Sequence, residues 1–284
     1  MTLIATMLSY DFMRAAFAAG LIVAVVAGAV GYFLVLRNLT FAGHALSHVG
    51  FAGATGAVLF GLSPLWGLLL FTVMGGVGMG LLGDRLRGRD VAVGIILAVS
   101  LGLGTLFLHF YTAFATQANA LLFGNVFGVS GETLSILGWL GAGCLLALAA
   151  ISRPLLFASL EPELAEAKGV SLRLLSVLFL VIVSVAVAEA VQVVGILLVF
   201  ALMVGPAATA GRLTGRLGRG VALAVLLALL ETYAGITLAY LTDWPTSFWI
   251  SALSGGAYLA SLLIRPRGAG RGEMTQAETP VSMD

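Results

Sequence analysis

Charged residues and cysteine are scarce in this sequence, and each scarcity argues against a class of protein. Only 10% of the 284 residues are charged and 60% are hydrophobic, which is more apolar sequence than a single soluble core of that length can bury. The one cysteine, Cys144, excludes a disulfide framework and a cysteine metal cluster. A net charge of +1 argues against a nucleic-acid partner. The composition therefore predicts an all-α fold, a polytopic transmembrane helical bundle.

Long apolar runs predict eight to nine membrane spans, because a helix needs ~20 apolar residues to cross the hydrocarbon. The nine predicted spans are residues 15–36, 44–61, 65–83, 91–112, 132–152, 173–188, 191–211, 220–241 and 248–264. The region 173–211 is ambiguous, since it fits two short spans that meet around Glu189 and Gln192 or one long broken helix. The first residues lack a basic leader and a small-residue cleavage site, so we expect the first span to direct insertion.

The basic residues orient the predicted bundle. If the N-terminus is outside and nine spans alternate, all of the 14 basic residues except Arg14 lie on the cytoplasmic side, as the positive-inside rule favours. We therefore expect residues 1–264 to form a transmembrane domain. The polar tail 265–284 is expected to be cytoplasmic and disordered.

His44 and His48 are two of only three histidines in the chain. At a spacing of four residues they project from one face of a helix, where two imidazoles can bind one metal ion. Ionisable groups within a membrane are costly and usually functional, which favours metal contact over hydrogen bonding within the helix packing. Three other residues are candidate pathway residues: His109 near an outer membrane surface, Glu189 at the predicted outer turn, and Glu231 in mid-span. For each of them a structural or solvated role is the alternative.

The loop of residues 153–173 is the longest polar interruption, and it predicts a short helix outside the bilayer. Pro162 suits a first helical turn, with acidic residues near the positive end of the helix dipole and a lysine near the other end. Gly169 is a typical stop signal. A connection of this length usually has a function, so the loop indicates either a docking element for a cytoplasmic partner or a plain connector.

Four separated blocks of the sequence resemble the integral-membrane permeases of bacterial ABC importers for zinc and manganese. The blocks are Arg37 to His48, which contains Gly-x-Ala-Leu-Ser-His; Leu122 to Asn125; Glu163 to Gly169; and Val194 to Val199 followed by Pro206 to Ala210. The resemblance covers nearly the whole chain. It implies a fold like that of type II ABC importers, in a prokaryotic plasma (inner) membrane.

By this resemblance the chain is the permease domain of a homodimer and contacts membrane lipid. Two cytoplasmic ATPase subunits would dock through a coupling helix, and an extracytoplasmic metal-binding protein would deliver the cargo. The coupling residues would be Glu161, Glu163, Glu166, Lys168 and Gly169. No Gly-x-x-x-x-Gly-Lys-Ser/Thr loop is present, so ATP hydrolysis is expected on a separate subunit. The chain is thus expected to be a transport subunit and not an enzyme. It is expected to bind no permanent cofactor and to carry a divalent metal as its cargo.

His44 departs from the family pattern, because many members carry an aspartate at this position. Replacing a hard carboxylate oxygen with an imidazole favours zinc over manganese, although manganese, iron and cobalt stay open. A secondary transporter or channel for divalent cations is the alternative, and the shortage of paired intramembrane carboxylates counts against it. An intramembrane metallohydrolase would need a glutamate at position 45, which is Ala45.

Overall fold

The computed structural model describes residues 7–82, 89–110 and 121–264, and within these ranges the structure is helical, without a strand. The helices are α1 (Asp11–Leu36), α2 (Thr40–Leu59), α3 (Pro64–Leu82), α4 (Arg89–His109), a 3₁₀ turn (Val126–Gly128), α5 (Gly131–Leu160), α6 (Pro162–Ala167), α7 (Leu172–Val194), α8 (Ile196–Leu213), α9 (Leu217–Thr242) and α10 (Thr246–Leu263). The predicted tail 265–284 lies outside the described residues.

Seven helices are long and apolar enough to cross a membrane: α1, α3, α4, α5, α7, α8 and α9. The second and ninth predicted spans coincide with α2 and α10, which have 20 and 18 residues but are not among those seven. The all-helical, multi-pass architecture is therefore confirmed, while eight to nine spans stays a prediction. The ambiguous region 173–211 contains two helices that break at Gly195, where φ is +82°. This break lies a few residues beyond the predicted one.

The segment between the fifth and sixth predicted spans is more helical than expected. The predicted loop begins at residue 153, but α5 continues through Pro154 to Leu160, so the actual interruption is shorter. The predicted short helix is confirmed as α6, with Pro162 in its first turn. Gly169 ends it at a φ of +83°, the left-handed conformation that glycine adopts at helix C-termini.

Helices α1 and α7 form the centre of the bundle. Helix α1 packs against α5, α7, α8 and α9, while α7 packs against α1, α3 and α5. Glycines permit the closest approaches: a Cβ on Gly53 of α2 or Gly67 of α3 would meet the carbonyl oxygen of the other. A Cβ on Gly76 of α3 would lie 2.7 Å from the Leu180 carbonyl oxygen of α7. The small residues thus let the helix backbones pack closely, which matters because the hydrophobic effect contributes little to helix association in lipid.

Candidate functional site

His44 and His48, the histidine pair, lie one turn apart on α2. Their ring centroids are 4.8 Å apart and the ring planes are inclined at 87°. Both side chains are half-buried. The Nδ1 atom of His44 is buried and has no hydrogen-bond partner in the described part of the chain. A neutral imidazole has one nitrogen with a free lone pair, and a nitrogen without a hydrogen-bond partner is a candidate metal ligand.

Helix α8 supplies one wall of the histidine pair. The ring centroid of Phe200 lies 5.1 Å from that of His44, at an interplanar angle of 71°. Ser47 does not engage the imidazoles through its hydroxyl, which donates to the carbonyl oxygen of His44 at 2.7 Å. Phe200 was not among the predicted site residues, although it directly follows the block that ends at Val199. The pair therefore has an aromatic neighbour rather than a carboxylate.

A tight corner between α1 and α2 fixes the direction of the histidine-bearing helix. Asn38 adopts a left-handed φ of +55° and donates its N–H to the Val35 carbonyl at 3.0 Å, while the Leu39 N–H donates to the Leu34 carbonyl at 3.0 Å. These two bonds form a Schellman motif, which satisfies the last carbonyls of a helix. Gly43 packs so closely on Leu34 that a Cβ there would lie 2.6 Å from its side chain. The first turn of α2 is thus fixed to the last turn of α1.

One copy of the chain offers few ligands at this place. Among residues 7–82, 89–110 and 121–264, no group of three or more histidine, cysteine, aspartate or glutamate side chains could hold a metal ion. Zinc sites are normally four-coordinate, so two imidazoles leave half of the coordination shell to other ligands. His109, Glu189 and Glu231 do not join the histidine pair in such a cluster.

Glu189 lies inside the bundle and not at an outer turn as predicted. Its side chain is 0% exposed, because α7 continues past it to Val194 before the break. Neither carboxylate oxygen has a hydrogen-bond partner within the described ranges. Gly141 of α5 makes room for Oε1, since a Cβ there would lie 3.0 Å from that atom. Gln192 is half-buried and lines a separate cavity of about 200 Å³ beside Asn125.

Glu231 and His109 lie in different surroundings. Glu231 is buried within α9, as its mid-span position predicted, and the Ser254 hydroxyl of α10 faces it. That hydroxyl donates to the Ala201 carbonyl at 3.2 Å, and both Glu231 oxygens lack a hydrogen-bond partner in the chain as described. His109 is exposed at the end of α4, with its ring centroid 5.7 Å from that of Phe110.

Helix α6 presents a polar surface at the opposite end of α5 from the 3₁₀ turn. The predicted coupling residues Glu161, Glu163, Glu166, Lys168 and Gly169 are all exposed. Ala165 is fully buried and anchors the helix. The Nζ atom of Lys168 lies 5.3 Å from the ring centroid of Phe157 in α5. The helix is therefore attached along one side, and its acidic side faces outward.

Two of the sequence blocks meet where α7 and α8 break. Gly124 has a φ of +79° and Gly195 a φ of +82°, and their backbones are in direct contact. A Cβ on Gly124 would lie 2.7 Å from the Gly195 nitrogen, and a Cβ on Gly195 would lie 2.6 Å from the Leu122 carbonyl oxygen. Only glycine fits these positions without displacing backbone.

Known proteins resemble this chain over nearly its whole length. The family described as the ABC 3 transport family matches residues 9–265. The manganese transport system membrane protein MntC of Halalkalibacterium halodurans is 28% identical over 262 residues, which is 92% of this chain and 90% of that protein. A probable metal transport system membrane protein of Treponema pallidum is 32% identical over 235 residues, which is 82% of this chain and 88% of that protein.

Solved structures show the same architecture. PsaBC from Streptococcus pneumoniae in complex with Fab aligns with a TM-score of 0.83 at 26% identity, over 93% of this chain and 95% of that one. An inward-facing conformation of a putative metal-chelate type ABC transporter shares the fold, with a TM-score of 0.66 at 18% identity over 87% of this chain and 86% of that one. The predicted resemblance to permease subunits of ABC importers is confirmed, as is the prediction of a transport subunit and not an enzyme. The chain belongs to the ABC 3 transport family.

Proposed function

We propose that this chain is the membrane-spanning subunit of an ATP-driven importer of divalent metal ions. It acts as a homodimer, with two cytoplasmic ATPase subunits and an extracytoplasmic metal-binding protein, in a prokaryotic plasma membrane. Its C-terminus lies in the cytoplasm, as the basic residues favour. Family membership supports the class of transporter, and relatives named for metal or manganese transport support the class of cargo.

The histidine pair is the observation that carries the proposal. Two imidazoles with centroids 4.8 Å apart are close enough to share one ion, and the buried Nδ1 of His44 lacks a hydrogen-bond partner among the described residues. Neutral imidazole is a good ligand for zinc and related transition metals. An intramembrane pair of this kind would form a transient binding site for the ion on its passage through the bundle.

A second copy of the chain would complete the coordination shell. A two-fold axis that passed beside the histidine pair would bring the same residues of both copies together, so four nitrogens could surround one ion. Zinc bound by four imidazoles would have Zn–N distances of ~2.0 to 2.1 Å. A site built from ligands of two subunits would open when the subunits move apart. The bound ion could then leave, as transport requires.

Zinc is the preferred cargo in this proposal. Manganese favours carboxylate oxygens, and this chain has His44 where many family members carry an aspartate. Relatives at 27–28% identity are named for manganese, and in this proposal the imidazole at position 44 shifts the preference of this chain towards zinc. Selectivity would then be a property of position 44 and of the metal-binding protein that delivers the ion.

Helix α6 is the proposed docking element for the ATPase. Its acidic residues are exposed and Leu164 is 44% exposed on the same helix, while Ala165 anchors it to the bundle. An exposed apolar residue among charges is typical of a contact surface for a protein partner. Movement of the ATPase subunits would displace α6 and change which side of the bundle is open.

The test is competitive uptake of zinc and manganese by proteoliposomes that contain this chain, the co-encoded ATPase and the metal-binding protein. We expect ATP-dependent uptake that prefers zinc and is lost in the His44→Ala, His48→Ala double variant. His44→Asp should raise the ratio of manganese to zinc uptake. Phe41→Ala, which truncates an exposed side chain on the same helix α2, is the matched control. Normal ATP-dependent zinc uptake by the double variant would refute the site.

A further inference from the structure

One side chain ties the corner between α1 and α2 to α7. The Nη2 atom of Arg37 donates to Ser176 Oγ at 3.3 Å, and the Cζ atom lies 5.6 Å from the centroid of the Phe179 ring. Arg37 is half-buried. A planar guanidinium can stack on an aromatic face while it donates hydrogen bonds from its edge. Arg37 therefore joins two segments that are 139 residues apart in sequence.

On one side of this contact, the corner between α1 and α2 connects Arg37 to the helix that carries the histidine pair. The Schellman turn at Asn38 and the close packing of Gly43 on Leu34 leave the first turn of α2 little freedom relative to Arg37. His44 lies four residues beyond Thr40, the first residue of α2, about 6 Å along the helix axis. A shift of the guanidinium would thus rotate or translate the part of α2 that carries both imidazoles.

On the other side, the contact leads to α6. A second Schellman turn joins α6 to α7: the Gly169 N–H donates to the Glu166 carbonyl at 2.9 Å and the Val170 N–H to the Ala165 carbonyl at 3.0 Å. Ser171 then caps α7 by accepting the Leu174 N–H at 3.3 Å. Both Arg37 partners lie in the N-terminal part of α7, close to this cap. Helix α6 and the start of α7 should therefore move together.

Helix α3 offers a second route between α2 and α7, but of a different kind. Its contacts are small-residue contacts along the helix length, such as those of Gly53 with Gly67 and of Gly76 with Leu180. Apolar surfaces of this type have no directed bonds that resist sliding. The Arg37 contact combines a hydrogen bond with ring stacking, and it lies at the end of α7 that follows α6.

We propose that Arg37 is a positioning residue that transmits the movement of α6, through the start of α7, to the histidine pair. This inference rests on the proposed function, since it concerns how ATP hydrolysis reaches the metal site. It assigns Arg37 no contact with the ion. The residue acts through α2. Its loss should uncouple ATP hydrolysis from zinc transport, while the ATPase subunits and the histidine pair themselves stay intact.

The first test measures ATP hydrolysis and zinc uptake in the same proteoliposomes, with the co-encoded ATPase and binding protein present. Arg37→Lys keeps the charge but loses the planar stack, and Phe179→Leu removes the ring from the other side. For each we expect zinc moved per ATP to fall about five- to tenfold, at the lower end of usual coupling between sites. The ATPase kcat and the KM for zinc should stay within about twofold. In the double variant, the zinc moved per ATP should be no lower than in either single variant, because both substitutions remove the same contact between the Arg37 guanidinium and the Phe179 ring.

Arg212→Lys is the matched control, since Arg212 is an exposed basic residue in the last turn of α8. Its ratio of zinc to ATP should equal that of the wild type. A wild-type ratio in Arg37→Lys would overturn the inference. So would a proportional loss of hydrolysis and uptake with a lower Tm, because that result indicates a purely structural role.

A second measurement does not depend on the cargo. Spin labels on Ala167→Cys of α6 and Phe41→Cys of α2, both exposed positions, report the distance between the two helices when ATP binds to the assembled complex. We expect this distance to change in the wild type and to stay fixed in Arg37→Lys. An equal change of this distance in the wild type and in Arg37→Lys, or no change in either protein, would overturn the inference. Labels that move while no metal is transported would refute the proposed cargo and leave the role of Arg37 supported.

Discussion

The contact between Gly124 and Gly195 predicts that alanine at position 195 destabilises the protein more than its backbone angle alone would. Alanine at the φ of +82° and ψ of 164° of Gly195, a conformation essentially confined to glycine, costs about 1–3 kcal/mol in backbone strain. The new Cβ would also lie 2.5 Å from the Phe123 carbonyl carbon and 2.6 Å from the Leu122 carbonyl oxygen. Overpacking of this kind adds about 1–3 kcal/mol. The expected loss in the free energy of unfolding is therefore about 2–6 kcal/mol.

Gly61 provides the matched control, because it has a φ of +73° but no neighbouring atom within 4 Å of the place that a Cβ would take. Gly61→Ala should cost only backbone strain, about 1–3 kcal/mol. Thermal unfolding in detergent should then place the Tm of Gly195→Ala about 2–12 °C below that of Gly61→Ala, at roughly 2–4 °C per kcal/mol. Equal Tm values for the two variants would refute the close contact between the two backbones.

The buried polar groups and the aromatic wall give three further predictions. Glu189→Leu should raise the Tm, since it removes a buried carboxyl without partners in the described chain that costs about 1–3 kcal/mol; a lower Tm would show that the carboxyl is engaged. Gly141→Ala should lower the Tm, because its Cβ would crowd Glu189 Oε1 and Ile22 Cγ2, each 3.0 Å away; an unchanged Tm would contradict this packing. Phe200→Leu should change the KM for zinc uptake but not the ATPase rate, because the ring contacts His44 at 5.1 Å between centroids; an unchanged KM would remove Phe200 from the site.

Much of the fold could be predicted from the sequence, because the lipid environment imposes simple rules on it. Every backbone polar group must be satisfied within the membrane, so long apolar runs become helices. The predicted spans coincide with observed helices for this reason, and Pro162 and Gly169 correctly delimit α6. Apolar length alone does not show where a helix ends in protein surroundings. Hence the extension of α5 to Leu160 and the burial of Glu189 were not predicted.

The sequence by itself determined the class of protein, the helical architecture and the identity of the histidine pair, since composition and a four-residue spacing are local properties. Only the tertiary structure decided what surrounds these residues. Phe200 lies beside His44, Gly195 lies against Gly124, and Arg37 reaches Ser176 and Phe179. These partners are far apart along the chain. Their contacts depend on how whole helices pack, which no local pattern of residues specifies.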